Sequence, residues 1–192
     1  MTGLRDTLAS LPHPVRWVLG VSLLLKLIVV ALTTHVGLVL DESNYVDIAQ
    51  FFLANGYFED AFRPPVYPLF VALCQAIGGD TATPVRVGHA LISTGAGAVL
   101  YTWLRGHAGH RGALVSTALW CLYPVLIGFT HLLWSETVFL SMLIFFFALA
   151  FPAGELSMRR TAAAAFVYGL ASLTRSVLLP FTPFAALFVL AK

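Results

Sequence analysis

Apolar residues gather along this chain into runs separated by short polar links. The runs cover residues 17–40, 66–77, 84–104, 113–129, 137–151, 162–173 and 177–190. A helix needs roughly 20 apolar residues to cross a bilayer's hydrocarbon core. The first run meets that length, with Lys26 and His35 as its only ionisable interruptions. The pattern predicts spanning helices at about 15–40, 84–104, 113–130, 134–151, 158–174 and 177–191. The run at 66–77 is short, and Pro65 and Pro68 shorten its regular part further. Runs of about 10–14 residues suit re-entrant or juxtamembrane segments, so this one is assigned to an external loop at 41–83. The expected fold class is an all-α integral membrane bundle of about six crossings, organised as one module over residues 1–192.

Cap signals refine the loop. Ser43 suits the N-cap of a short helix ending at Asn55, with Gly56 as its stop. Tyr45, Ile48, Ala49 and Phe52 share one face of it, which predicts an interfacial helix lying on the bilayer. Thr83 and Pro84 suit the N-cap and first residue of the next helix, with Arg86 in its first turn.

Composition supports the class. The chain is 59% hydrophobic and only 10% charged, with mean hydropathy +0.86, which excludes an ordinary soluble domain. Its apolar stretches are continuous rather than alternating, which excludes a membrane β-barrel. Arg5 and Arg16 precede the first run, but it is too long for a signal peptide's apolar core and lacks an obvious small-residue cleavage site. The net charge of +2, without a basic run, argues against nucleic acid as a partner. Cys74 and Cys121 sit inside apolar runs and read as packing residues.

Charge also orients the chain. If residues 66–77 do not cross, then Arg5, Arg16, Arg105, Arg111, Arg159 and Arg160 share one side, the cytoplasm by the positive-inside rule. Asp41, Glu42, Asp47, Glu59, Asp60, Asp80 and Glu136 then face the other side.

The acids are few, so their positions are informative. Asp41 and Glu42 follow the first run, and the string RPPVYP follows at residues 63–68. Adjacent carboxylates near a basic residue and a rigid Pro-Pro turn suit chemistry at the water–lipid boundary. The same acids would also serve simply to end a helix in water. Arg63 and Arg86 read either as anchors that snorkel to the interface or as anion ligands. Arg86 is unfavourably placed at a helix N-terminus, which favours a special role; Glu136 is favourably placed at one. Lys26 near mid-membrane calls for snorkelling or an acidic partner in the bundle. His35, His89 and His131 read as packed residues, and Trp17, Trp103 and Trp134 as interface-belt residues.

Together the acidic pair, the following helix with Tyr45, and RPPVYP resemble the first external loop of GT-C glycosyltransferases, particularly the protein O-mannosyltransferase and lipid A aminoarabinose transferase group. TPVRVGHALIS around Arg86, YPVLIGFTHLLWSE ending at Glu136, and GLASLTR ending at Arg175 resemble further segments of that group. The resemblance covers the chain from about residue 15 onward. It implies an inverting transferase that moves a sugar from a polyprenyl phosphate to an acceptor, at a site facing outward from a bacterial inner membrane. On that reading Asp41 is the general base, with Glu42 beside it as a second catalytic candidate. Arg63, Arg86 and Arg175 hold the donor phosphate. Glu136 and Tyr45 orient the acceptor. Glu42 and Glu136 could instead hold a divalent cation, and the metal is left unassigned.

The chain departs from the pattern at Phe62, where some relatives carry an acid; this weakens the case for metal in that loop. It also holds fewer helices than relatives usually have, so it reads either as a minimal module or as a piece of a longer protein. The alternative function is a non-enzymatic membrane module: a small transporter, a lipid-carrier flippase or a subunit of a larger complex. A transporter should carry its polar groups near the midplane, whereas here, Lys26 and the break at Arg175 aside, they cluster at one surface.

The orientation is directly testable by single cysteines placed in a background lacking Cys74 and Cys121. From outside intact cells, Asp60→Cys is expected to react with an impermeant maleimide, and Ala108→Cys and Ser157→Cys to be protected. Outside labelling of Ala108→Cys would make residues 66–77 a true crossing.

Overall fold

A computed structural model of the protein describes residues 11–39, 41–59, 62–79 and 81–190. Arg5, Asp60 and Asp80, used above to orient the chain, lie outside them. All regular structure among the described residues is helical. Helix α1 spans His13–Leu32, α2 Asp41–Asn55, α3 Val66–Gly78, α4 Ala82–Leu122, α5 Pro124–His131, α6 Glu136–Ala150 and α7 Met158–Ser172; a 3-10 segment at Ser176–Phe181 leads into α8, Thr182–Leu190. Among the described residues, α1 alone is long and apolar enough to cross a membrane by itself; α4 and α5 pass that test jointly across a 45° bend.

Helix α4 is in fact a hairpin. Gly109 interrupts it at φ 68°, ψ −179°, a region that essentially only glycine enters. The limbs 82–108 and 110–122 then fold back on each other. Trp120 Nε1 donates to the Ser93 carbonyl at 2.8 Å, and the Tyr101 hydroxyl meets His110 Nδ1 at 2.8 Å. The limbs approach so closely that a Cβ on Gly97 would lie 2.7 Å from the Cys121 sulfur.

Polarity in α1 is inside out. Its buried stripe is Val15, Leu19, Ser22, Lys26 and Val30, while Leu24, Leu25, Leu27 and Ile28 face outward. Lys26 is 0% exposed. It neither snorkels nor finds an acid among the described residues; Nζ donates to Ser93 Oγ at 2.9 Å. The neighbouring Ser22 hydroxyl donates to the Cys121 carbonyl. Polar side chains are thus satisfied between α1 and the α4 hairpin rather than at the surface.

The bundle has two sorted ends. At one, Leu11, Val15 and Leu19 pack on Tyr101, Ala113 and Cys121. Trp103 Nε1 donates to the Phe151 carbonyl at 2.7 Å, so the α4 turn and the α6–α7 link lie together. At the other end, Val46 and Ala49 of α2 pack on Tyr67, Val71 and Ala72 of α3, with Val85, Leu133 and Val138.

Two loop expectations change. Helix α2 begins at Asp41, not after Ser43, and its apolar face packs on α3; Tyr67 and Val71 supply a partner surface that the local pattern could not reveal. Helix α4 begins after Thr81, with Pro84 inside its first turn. In α3 the prolines help rather than interrupt. Pro68 sits in the first turn, where its missing N–H has no intrahelical acceptor to lose.

Replacing Gly109 with alanine is expected to cost about 1–3 kcal/mol, because the side chain must occupy this glycine-only backbone region. Thermal unfolding in detergent measures this. An unchanged melting temperature would show that the chain turns elsewhere.

Candidate active site

Four chain segments converge at the second end of the bundle around a cavity of about 390 Å³. The start of α2 contributes Asp41 and Tyr45, and the RPPVYP string contributes Pro64. Trp134, Ser135 and Glu136 come from the link into α6, and residues 174–177 from the segment after α7. A backbone bond from Val66 N–H to the Leu173 carbonyl, 3.1 Å, ties the second of these segments to the fourth. Arg175 is held in extended conformation between α7 and the 3-10 segment.

Each acid at the cavity faces an arginine. Arg63 Nη2 donates to Asp41 Oδ1 at 3.0 Å. The Arg63 guanidinium also lies 4.8 Å from the centre of the Tyr45 ring, which itself meets Tyr67 edge-on at 4.6 Å. The Asp41 side chain is 66% exposed, so its pair is worth only about 0–1 kcal/mol and opens readily. Arg175 Nη1 donates to Glu136 Oε1, and its guanidinium lies 6.0 Å from the Phe139 ring centre. Glu136 opens α6, where the helix dipole favours an acid.

Asp41, Tyr45, Glu136 and Arg175 therefore border one cavity, with Arg63 braced behind Asp41. Glu42 and Arg86 do not border it. Glu42 is 1% exposed, and both carboxylate oxygens are occupied by main-chain donors. Oε2 accepts from Val39 N–H at 2.8 Å, closing the start of α2 as a capping acid does. Oε1 accepts from Leu133 N–H at 2.7 Å. Arg86, also 1% exposed, donates through Nε to the His131 carbonyl at 2.9 Å and through Nη1 to the Thr33 carbonyl at 2.7 Å. Those carbonyls end α5 and follow α1, at the negative ends of two helix dipoles. This explains how a buried cation is tolerated near the start of α4. Arg86 also feels the charge of Glu42.

Both buried charges thus grip the same stretch, residues 131–133, from opposite sides. That stretch delivers Trp134 and Glu136 to the cavity. Sequence reasoning assigned Trp134 to an interface belt and left Ser135, Thr174 and Ser176 unremarked. The one available signal was the adjacency of Trp134 to Glu136.

The carboxylates bordering the cavity each hold an arginine, and among the described residues no three His, Cys, Asp or Glu side chains stand close enough to hold a metal ion. The arrangement places an exposed carboxylate, able to accept a proton, beside guanidinium groups able to bind a phosphate by paired hydrogen bonds.

Removing the Glu42 carboxylate leaves two N–H groups without their acceptor. Glu42→Ala is expected to lower stability by about 1–3 kcal/mol, the cost of leaving the buried Leu133 N–H unsatisfied. Asp41→Ala is expected to change stability by less than about 1 kcal/mol. Thermal melting of the two variants side by side checks the contrast, and equal losses would refute it.

The family described as dolichyl-phosphate-mannose-protein mannosyltransferase matches residues 62–192, more than half of the chain. Arg63, Arg86, Glu136 and Arg175 lie within the match; Asp41, Glu42 and Tyr45 precede it. No curated protein and no solved structure matches the chain. With the matched segment supplying the Pro-Pro string, the α4 hairpin, Glu136 and Arg175, this chain belongs to the dolichyl-phosphate-mannose-protein mannosyltransferase family, glycosyltransferases of the GT-C kind.

Proposed function

We propose that this protein moves a sugar from a polyprenyl phosphate to an acceptor hydroxyl at the outer face of a membrane. The observation that carries the reading is the convergence of Asp41, Glu136 and Arg175 on one cavity, with Arg63 paired to Asp41. The donor's lipid tail partitions into the bilayer, so its phosphate is confined to the surface. A cavity at one end of the bundle, rather than at its middle, suits that constraint.

The chemistry is a single displacement. The acceptor oxygen forms a bond to the anomeric carbon as the bond from that carbon to the phosphate oxygen breaks. The acceptor's proton passes to the Asp41 carboxylate, and the polyprenyl phosphate leaves with the bonding electrons, inverting the anomeric centre. Arg63 and Arg175 stabilise the leaving phosphate; neither pair with its acid is too strong to be exchanged for a doubly charged oxyanion. Glu136 and Tyr45 orient the acceptor. Glu42 and Arg86 act as positioning residues, because the Glu42 carboxylate and Arg86 Nε and Nη1 are engaged by main chain and neither side chain borders the cavity.

The proposed topology is one module of about six crossings: α1, the two limbs of α4 with α5 continuing the second, α6, α7, and the 3-10 segment with α8. Helices α2 and α3 remain on the outer side. The sorted ends support it. Gly106 in the α4 turn abuts Ala153 in the α6–α7 link, which gathers Arg105, Arg111, Arg159 and Arg160 toward the end opposite the cavity. The inside-out polarity of α1 supports a lipid-facing exterior.

Incubating the protein with labelled polyprenyl-phosphate sugars and candidate acceptors tests the activity through acceptor-dependent release of lipid phosphate. Asp41→Asn keeps the shape of the side chain but removes its basicity, and turnover is expected to fall by about 10²-fold or more. Donor binding is expected to hold, since arginines carry the phosphate. Near-normal turnover in correctly folded Asp41→Asn would exclude Asp41 as the base.

A further inference from the structure

Trp134 and Tyr45 are the aromatic residues of the cavity wall; the Tyr45 ring lies against the Arg63 guanidinium, whereas Trp134 adjoins Glu136, and its setting differs from that of the other described tryptophans. The indole N–H of Trp103 is committed to the Phe151 carbonyl and that of Trp120 to the Ser93 carbonyl. Trp17 lies 63% exposed on the outside of α1. Trp134 is half-buried, borders the cavity, and donates to no partner among the described residues. Its ring packs on Phe129, with centroids 6.2 Å apart.

The segment that carries Trp134 is unusually well anchored. One residue before it, the Leu133 N–H is held by buried Glu42; three residues before it, the His131 carbonyl is held by buried Arg86. On the far side the chain enters α6 at Glu136, whose side chain is held by Arg175. Two buried charges are a costly way to fix three residues of loop. The cost makes sense if what the loop presents must be rigid, as a ligand-binding wall must be.

A pyranose offers such a wall two kinds of contact. One ring face is lined by polarised C–H bonds, and the negative face of an indole attracts them. The rim carries hydroxyls, which the free indole N–H and the Glu136 carboxylate can meet. We infer that Trp134 is the platform on which the donor's sugar stacks, setting the orientation of its anomeric carbon between Asp41 and the phosphate-binding arginines. This rests on the glycosyl-transfer reading above, and it assigns to Trp134 the contact that separates a sugar-bearing lipid from the bare lipid phosphate.

The test compares two probes on the full chain in lipid nanodiscs: polyprenyl-phosphate mannose and sugar-free polyprenyl phosphate. Trp134→Leu is expected to weaken binding of the mannosyl lipid about tenfold while leaving the bare lipid unchanged, and Trp134→Phe to fall in between. Equal weakening of both lipids, no weakening of either, or a parent protein that does not prefer the mannosyl lipid would each overturn the platform. If Trp134→Leu does not fold, Trp134→Phe, which keeps the packing on Phe129, carries the same comparison. Turnover of Asp41→Asn, measured alongside, separates the two ideas. An inactive Asp41→Asn with no lipid discrimination lost at Trp134 removes the platform alone, whereas an active Asp41→Asn removes the assignment of the base.

Discussion

The opposed grip of Glu42 and Arg86 on residues 131–133 is the constraint on which the rest of this structure depends. An acid from the first turn of α2 takes an N–H, and a base near the start of α4 takes a carbonyl two residues away. The same acid closes the start of α2, and the same base reaches the end of α1. Four helices are thereby joined at one point: α1, α2, α4 and α5. The energetic logic is severe, because each group is buried and would be costly without its partners. A loop held this way has little freedom, and that loop sets the position of the cavity wall.

From that point the site follows. With α2 fixed, Asp41 emerges from its first turn into the open, one residue from the buried Glu42 yet facing water. Glu136 emerges from the first turn of α6 just beyond the gripped stretch. The arginines arrive from elsewhere: Arg63 ahead of the prolines that start α3, and Arg175 where α7 stops. Burial separates the two classes of charge. The charges at 1% exposure hold main chain, whereas the partly exposed ones pair with each other at the cavity.

The inside-out arrangement of α1 and α4 obeys the same accounting. Lys26, Ser22 and Ser93 turn toward one another, and leucine and isoleucine turn out. In water this would be unfavourable on both counts; against hydrocarbon it is favourable on both.

Much of this was legible in the sequence, and the boundary of legibility is physical. Long apolar runs specify helices, since only a helix satisfies its own backbone within a single apolar segment. Glycine and proline marked true punctuation at Gly56 and the RPPVYP string. The motif order pointed to the family, because spacing along the chain survives in sequence. Asp41 and Glu42 were beyond this kind of reading: adjacent, equally charged and equally placed in pattern, they differ only in which way one helical turn faces. Arg86 looked misplaced at a helix N-terminus until the carbonyls of Thr33 and His131 appeared beside it. Trp134 looked like a belt residue, and the fold places it with residues 174–177 around one cavity. The sequence by itself determined which segments are helical, where the chain breaks and which few charges it carries. Only the tertiary structure decided which of those charges hold the frame and which face the cavity, because that depends on partners 40 to 90 residues away that no local pattern encodes.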